Sequence, residues 1–417
     1  MILRRWKAAD RTWGIGLLAS GVSIGVLPAL AYAGPAATAA TTYRAVERVE
    51  LSDGFYLLAR PAGYKHGDQP PLVVCLHETD TGAETILAFW RRLKTPIGML
   101  LAAPEHHRPG WRQADLPCIR AMLAHLGKHV TYDPKRVLLT GYSAGGAMAF
   151  HLLYAEAFPA TAVAATANYV PPSVTAKMVA ARRDVPIFYA VGMRDVNQDR
   201  MRASIELLRA NGGRLTLLRP DIGHTLDPAV GQQAMDWFVK TMTRQTLTQI
   251  DQAAKAGEER RYAVGMAVVE PILDQRRWHA PEVVARADSV RIELEQPGRE
   301  HLARAKHLTD QRQHLEAIDV LRRVELAYGT ARLGLEAQKR REALQADPKV
   351  RAAEQVRQQE RREQASRESL VRAQRLVVNR KYLQAKEQCR AIIRTYPGTT
   401  AATRAQTLLD QLRRAGK

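Results

Sequence analysis

From about residue 44 to residue 243 the chain alternates short apolar runs with helix-length segments whose apolar positions recur every three or four residues. The runs FYLLARP, PLVVCLH, MLLAAP, RVLLTG, TAVAATA, VPIFYAVG and RLTLLRP read as strands. Several are apolar at successive rather than alternate positions, as parallel strands covered on both faces require. Between them the period of a helix is met over 84–93, 116–127, 144–155, 200–210 and 229–242, with Gly or Pro at most joins. This alternation predicts an α/β fold, a mostly parallel sheet with helices on both faces.

Beyond residue 243 the β-branched runs thin out and Ala, Leu, Gln, Glu, Arg and Lys dominate at helical spacing. An internal repeat is visible. HLEA at 314–317 and YLQA at 382–385 are each followed at equal spacing by Tyr328 and Tyr396 and then by Ala337 and Ala405. The copies stand 68 residues apart, twice the period of about 34 that marks tetratricopeptide-type hairpins. YAVG at 262–265, with Ala285 beyond it, reads as a third, offset copy. An all-α, tetratricopeptide-like repeat region over 244–417 is therefore expected after an α/β domain over 44–243.

The 417-residue length accommodates this two-part plan. The first residues change the picture at the front. Arg4, Arg5 and Lys7 precede an apolar run from Gly14 to Leu30 and the small-residue pattern Ala31-Tyr32-Ala33, which together describe an export signal over 1–33. The chain is thus expected to be secreted or periplasmic, with no transmembrane helix left after cleavage; the competing reading is an uncleaved anchor, since the apolar run is nearly long enough to span a bilayer. The formal charge of +20 lies more than half beyond residue 243 and favours anionic neighbours. The repeats are accordingly expected to offer a groove to a protein or to an anionic cell-wall polymer. Nucleic acid is disfavoured: in the Arg-rich stretch 348–374 Glu alternates with Arg, and aromatic side chains that would stack on bases are missing. Cys75, Cys118 and Cys389 make no disulfide framework and read as packing residues. No Cys/His spacing suits a metal, the adjacent His106-His107 included, and no cofactor is called for.

One stretch carries chemistry. GYSAGGAMAF at 141–150 contains Gly-x-Ser-x-Gly, which in hydrolases sets a serine on a strained strand-to-helix turn. RVLLT supplies the strand and AGGAMAF opens the helix, so the Ala144 N–H at the helix start can donate to a developing oxyanion. Ser143 needs a base and the base needs an orienting group. His224 follows the last expected strand, and Asp195 follows VPIFYAVG. The order Ser143, Asp195, His224, each just past a strand, places all three at the carboxyl ends of the strands, where ligands bind in such sheets.

The segment from about 71 to 240 resembles the α/β-hydrolase superfamily, and within it the secreted esterases grouped with polyhydroxybutyrate depolymerases and feruloyl esterases. The resemblance rests on LVVCLH, DPKRVLLTGYSAGGAMA, GMRD, and GH before a closing DWF helix. It implies an α/β-hydrolase sheet, a Ser143–His224–Asp195 relay, and a second oxyanion donor from the loop after PLVVCL. There the family usually has His-Gly, whereas this chain has His77-Glu78, so the donor falls to Glu78 without the freedom of glycine. His77, Trp111 and Tyr142 are the expected substrate-binding residues, Trp111 being equally readable as a loop anchor. The expectation is an exported serine carboxylesterase acting on small or polymer-attached esters. The competing expectation is an inactive hydrolase-fold scaffold whose repeats bind a partner.

Overall fold

A computed structural model describes residues 41–105 and 110–416. The export signal expected over 1–33 and the His106-His107 pair lie outside the described residues. Strands β1 (Glu47–Leu51) and β2 (Gly54–Ala59) form an antiparallel hairpin, followed by β3 (Leu72–Leu76), α1 (Ala83–Arg91), β4 (Leu100–Pro104), α2 (Leu116–His129), β5 (Val137–Tyr142) and α3 (Ala144–Tyr154). Then come β6 (Ala162–Thr166), α4 (Ala176–Ala181), β7 (Ile187–Ala190), α5 (Gln198–Ala210), β8 (Leu215–Leu218) and α6 (Pro228–Glu258). The sheet runs β1-β2-β4-β3-β5-β6-β7-β8, antiparallel at β1, β2 and β4 and parallel from β4 onward. This is the mostly parallel sheet with helices on both faces that the sequence pattern predicts, in the α/β-hydrolase arrangement that the resemblance implies.

The continuous apolar runs are explained by two cores, one on each face of the sheet. Every residue of β3, β4 and β5 is buried. Along β3, Leu72, Val74 and Leu76 pack with α2, α3 and α5, while Val73 and Cys75 pack with α1 and α6. Cys75 and Cys118 are both buried, and burial pushes both thiols up, that of Cys118 to about 11. The edge strand β1 was not among the expected strands, because ERVEL buries only Val49 and its charged residues mask the strand period.

Seven further helices are described: α7 (Tyr262–Asp274), α8 (Pro281–Asp310), α9 (His314–Tyr328), α10 (Arg332–Gln345), α11 (Pro348–Val378), α12 (Tyr382–Thr395) and α13 (Thr400–Arg414). The repeat has a clear physical basis. Its three copies open α7, α9 and α12, and before each an arginine takes the same left-handed conformation: Arg260 at φ 58°, Arg312 at 59° and Arg380 at 58°. The spacing, however, is not that of two equal hairpins. Two tetratricopeptide-type units between 314 and 382 would supply four helices of similar length, whereas the chain forms three, one of them the 31-residue α11.

The expected junction at 243/244 falls inside α6, which runs unbroken for 31 residues. The helical region is also tied directly to the sheet. Trp278 is buried in the core on the α2/α3 face, its carbonyl accepts from the Arg136 guanidinium, and Arg277 pairs with Asp68. Gln275 Oε1 accepts from the Gln69 N–H at 3.0 Å. Among the described residues no helix is long and apolar enough to cross a membrane.

Candidate active site

Ser143 joins β5 to α3 and sits at φ 51°, ψ −118°, a strained backbone for a non-glycine residue that costs about 1 to 3 kcal/mol. The flanking glycines make this turn sterically possible. A Cβ on Gly141 would overlap the Gly145 carbonyl, and one on Gly145 would overlap the carbonyl oxygens of Leu76 and His77. The Ser143 N–H is spent on the Thr166 carbonyl at 3.0 Å, which fixes the elbow to β6. Ala144 is the first residue of α3, so its N–H has no intrahelical acceptor and points out of the helix with the positive end of the dipole.

Three side chains meet above this turn. Ser143 Oγ lies 2.8 Å from His224 Nε2, and His224 Nδ1 lies 2.9 Å from Asp195 Oδ2. Asp195 is buried, and its other oxygen accepts from the Asn197 N–H at 2.8 Å. A carboxylate can only accept, so Nδ1 carries the imidazole proton and Nε2 is left to accept from the Ser143 hydroxyl. The loops bearing the acid and the imidazole are stitched together by backbone bonds: Met193 N–H to Pro220 O at 2.9 Å and Arg194 N–H to Ile222 O at 3.0 Å. Gly192 is needed beneath them, because a Cβ there would meet the Ile222 carbonyl oxygen. Beyond His224, Asp227 caps α6 by accepting from the N–H groups of Ala229 and Val230.

Tyr142 walls one side, its ring centroid 5.5 Å from that of His224. Burial, reinforced by the carboxylates of Glu78 and Asp195, pushes its phenol up to about 12, so it stays neutral. Glu78 stands in the loop between β3 and α1, and its Oε2 is buried without a hydrogen-bond partner among the described residues.

The same loop corrects one expectation and bears on another. His77, expected to touch substrate, is fully buried beneath the loop, with Nδ1 2.8 Å from the Glu78 carbonyl and Nε2 3.1 Å from Glu105 Oε1. An imidazole held between a carbonyl and a carboxylate is a structural tie rather than a contact surface. Trp111 acts as the loop anchor: its indole N–H donates to the His77 carbonyl at 2.7 Å, and the two rings lie 4.9 Å apart. Across that trans peptide the Glu78 N–H faces away from the indole. Glu105, which the sequence reading missed, completes the tie by accepting from the Ala83 N–H at 2.8 Å. Its one sequence signal is an acidic residue directly after the buried strand LLAAP.

No family model matches the chain, and no curated protein matches it. Solved structures similar to it include a ferulic acid esterase, at 16% identity over 48% of this chain and 98% of that one, with a TM-score of 0.41. An S-formylglutathione hydrolase from Staphylococcus aureus is 11% identical over 49% of this chain and 98% of its own, with a TM-score of 0.39. A putative dienelactone hydrolase from Klebsiella pneumoniae is 20% identical over 46% and 98%, with a TM-score of 0.38.

Proposed function

We propose that the protein is a serine hydrolase of carboxylic esters working through an acyl-enzyme. The observation that carries this is the unbroken relay from Ser143 Oγ through His224 to Asp195, with contacts of 2.8 and 2.9 Å, in a chain whose elbow serine is held strained. In this reading Ser143 attacks the ester carbonyl as His224 Nε2 takes its proton. Asp195 holds the tautomer and stabilises the imidazolium. The Ala144 N–H and the Glu78 N–H receive the oxyanion. The imidazolium then protonates the leaving alcohol, and water repeats the sequence to free the acid.

Small soluble esters and esters carried on polymers, rather than long-chain lipid esters that need an enclosing lid, fit the small amount of chain available to cover the site. Between β6 and β7, where a lid could be inserted, the chain runs only from 167 to 186, with the six-residue α4 as its single helix. A cleft without a large cover suits small soluble esters and esters carried on polymers. Export of the chain is part of the same proposal and rests on the basic, apolar and small-residue pattern of residues 1–33. N-terminal sequencing of the protein recovered outside the cytoplasm should find a new terminus near residue 34.

The test is labelling with a fluorophosphonate followed by hydrolysis of para-nitrophenyl acetate. Full-length protein should label at Ser143 and turn over the ester, and Ser143→Ala should do neither while unfolding at the same temperature. Absence of label on the folded parent would leave the scaffold reading in its place.

A further inference from the structure

A second concavity lies at the opposite edge of the sheet, where the strands begin. The turns before β5, β6 and β8 form one wall, and α6, α7 and the stretch to His279 form the other. The groove measures about 1150 Å³, above the roughly 300–1,000 Å³ of pockets that hold small molecules. It therefore has room for an extended ligand. The length of β5 separates it from Ser143 by roughly 20 Å, so it is no part of the acyl site.

Its charge is one-sided. Lys135, Arg136, Arg214 and Arg244 line it against the single carboxylate of Asp133. Arg136 is already committed, to Asp133 at 2.6 Å and to the Trp278 carbonyl. Among the described residues the side chains of Lys135 and Arg244 form no ion pair, and Arg214 reaches only the backbone carbonyl of Asp184 at 3.3 Å. Three cations without counter-charges around one groove repel each other and raise the local concentration of anions. The polar lining from α6 is of another kind. Gln245, Gln249 and Gln252 present carboxamides that both donate and accept, the complement of sugar hydroxyls, whereas the Gln275 amide across from them is spent on the Gln69 N–H and the Gly67 carbonyl. Among the described residues no Phe, Tyr or Trp lines the groove, so bases would find no stacking platform.

We propose that this groove is a binding site for an acidic polysaccharide, a hydroxyl-rich chain bearing carboxylates at intervals. The carboxylates would pair with Lys135, Arg214 and Arg244, and the intervening hydroxyls would bond the amides of Gln245, Gln249 and Gln252. The site does not depend on the hydrolase reading, since it is built from residues remote from Ser143.

The experiment measures binding of a fluorescent oligogalacturonate to the full-length protein, with three comparison ligands: a neutral oligosaccharide of equal length, dextran sulfate and a single-stranded DNA of matched charge. Because the whole protein is strongly basic, two variants with equal change in charge are compared. Lys135→Glu with Arg244→Glu reverses the groove, and Arg394→Glu with Arg404→Glu reverses exposed positions on α12 and α13. The groove pair should weaken oligogalacturonate binding by at least about ten-fold and the distal pair by less than about two-fold. Equal losses in the two variants would overturn the proposal, since binding would then follow net charge alone. So would a neutral oligosaccharide binding as tightly as oligogalacturonate, or DNA or dextran sulfate binding more tightly than it through the same two residues. None of these readouts involves hydrolysis, so this proposal and the hydrolase reading fail separately.

Discussion

Substituting Asp195→Asn changes one atom type and leaves the shape of the site intact, yet the hydrogen-bond pattern dictates a large effect. Asp195 Oδ1 accepts from the Asn197 N–H at 2.8 Å, and Oδ2 accepts from His224 Nδ1 at 2.9 Å. Only one side-chain oxygen remains after the substitution. It is claimed by the Asn197 N–H, a fixed backbone donor, so the new amide turns its NH2 toward His224. Nδ1 must then accept, the imidazole proton moves to Nε2, and Nε2 no longer accepts from the Ser143 hydroxyl 2.8 Å away. A wrong tautomer of this kind costs about 10⁴ in kcat, equivalent to roughly 5 kcal/mol of transition-state stabilisation. The assay is para-nitrophenyl acetate hydrolysis under saturating ester, alongside thermal unfolding, which should move little because the side chain keeps its volume. A folded Asp195→Asn protein retaining more than about a tenth of the parent kcat would refute the assignment of tautomer and role together.

Three further outcomes are expected. Gly145→Ala places a Cβ onto the carbonyl oxygens of Leu76 and His77, rigid backbone in a buried strand end, and should lower unfolding free energy by about 3 kcal/mol in a urea titration; an unchanged midpoint would contradict the packing described. Burial, with the Arg136 guanidinium beside it, depresses His279 to about 3, so the unfolded chain binds the extra proton first: its contribution is intact above the ordinary imidazole range near 6.5 and is lost as pH falls toward 3, by up to about 1.4 kcal/mol per unit. His279→Gln should therefore show a shallower loss of melting temperature between neutral pH and pH 5, and a parallel profile would count against it. Tyr328 donates to the Leu294 carbonyl at 2.7 Å and accepts from the Gly298 N–H at 2.9 Å, filling the break beside Pro297 in α8; Tyr328→Phe strands both groups and should cost about 2 kcal/mol by denaturant titration.

The parts of the fold visible in the sequence are those in which one local pattern has one physical meaning. Continuous apolar runs mean strands covered twice, and β3 to β7 follow them. Where the meaning depends on a partner the pattern fails. β1 carries a single buried residue and is a strand only because β2 pairs with it. The change of texture at residue 243 is real, but it marks a change of partner rather than of element. Along α6, Val230, Ala234, Phe238 and Met242 pack against the sheet, and Ile250 and Ala253 pack against α7 and α8. The apolar stripe continues through the change, and a rigid helix of about 46 Å crosses what reads as a domain boundary.

The relay was legible for a similar reason. A strand end is recognisable in sequence, and a serine, an aspartate and a histidine each stood at one, so a parallel sheet had to bring them to a common edge. The support for the neighbouring loop was not legible, because it is made of contacts between strand ends rather than at them. Glu105 after β4 reaches both His77 after β3 and the Ala83 N–H that opens α1, while Trp111 pins the His77 carbonyl from the other side. This explains how the loop tolerates Glu78 where the resemblance predicts glycine. The flanking peptide is fixed by a carboxylate and an indole, so its orientation does not rest on the backbone freedom of residue 78. The loss of that freedom moves the constraint outward, and Glu105, a side chain that looks incidental in the sequence, becomes one of the two that tie the loop after β3 to its neighbours.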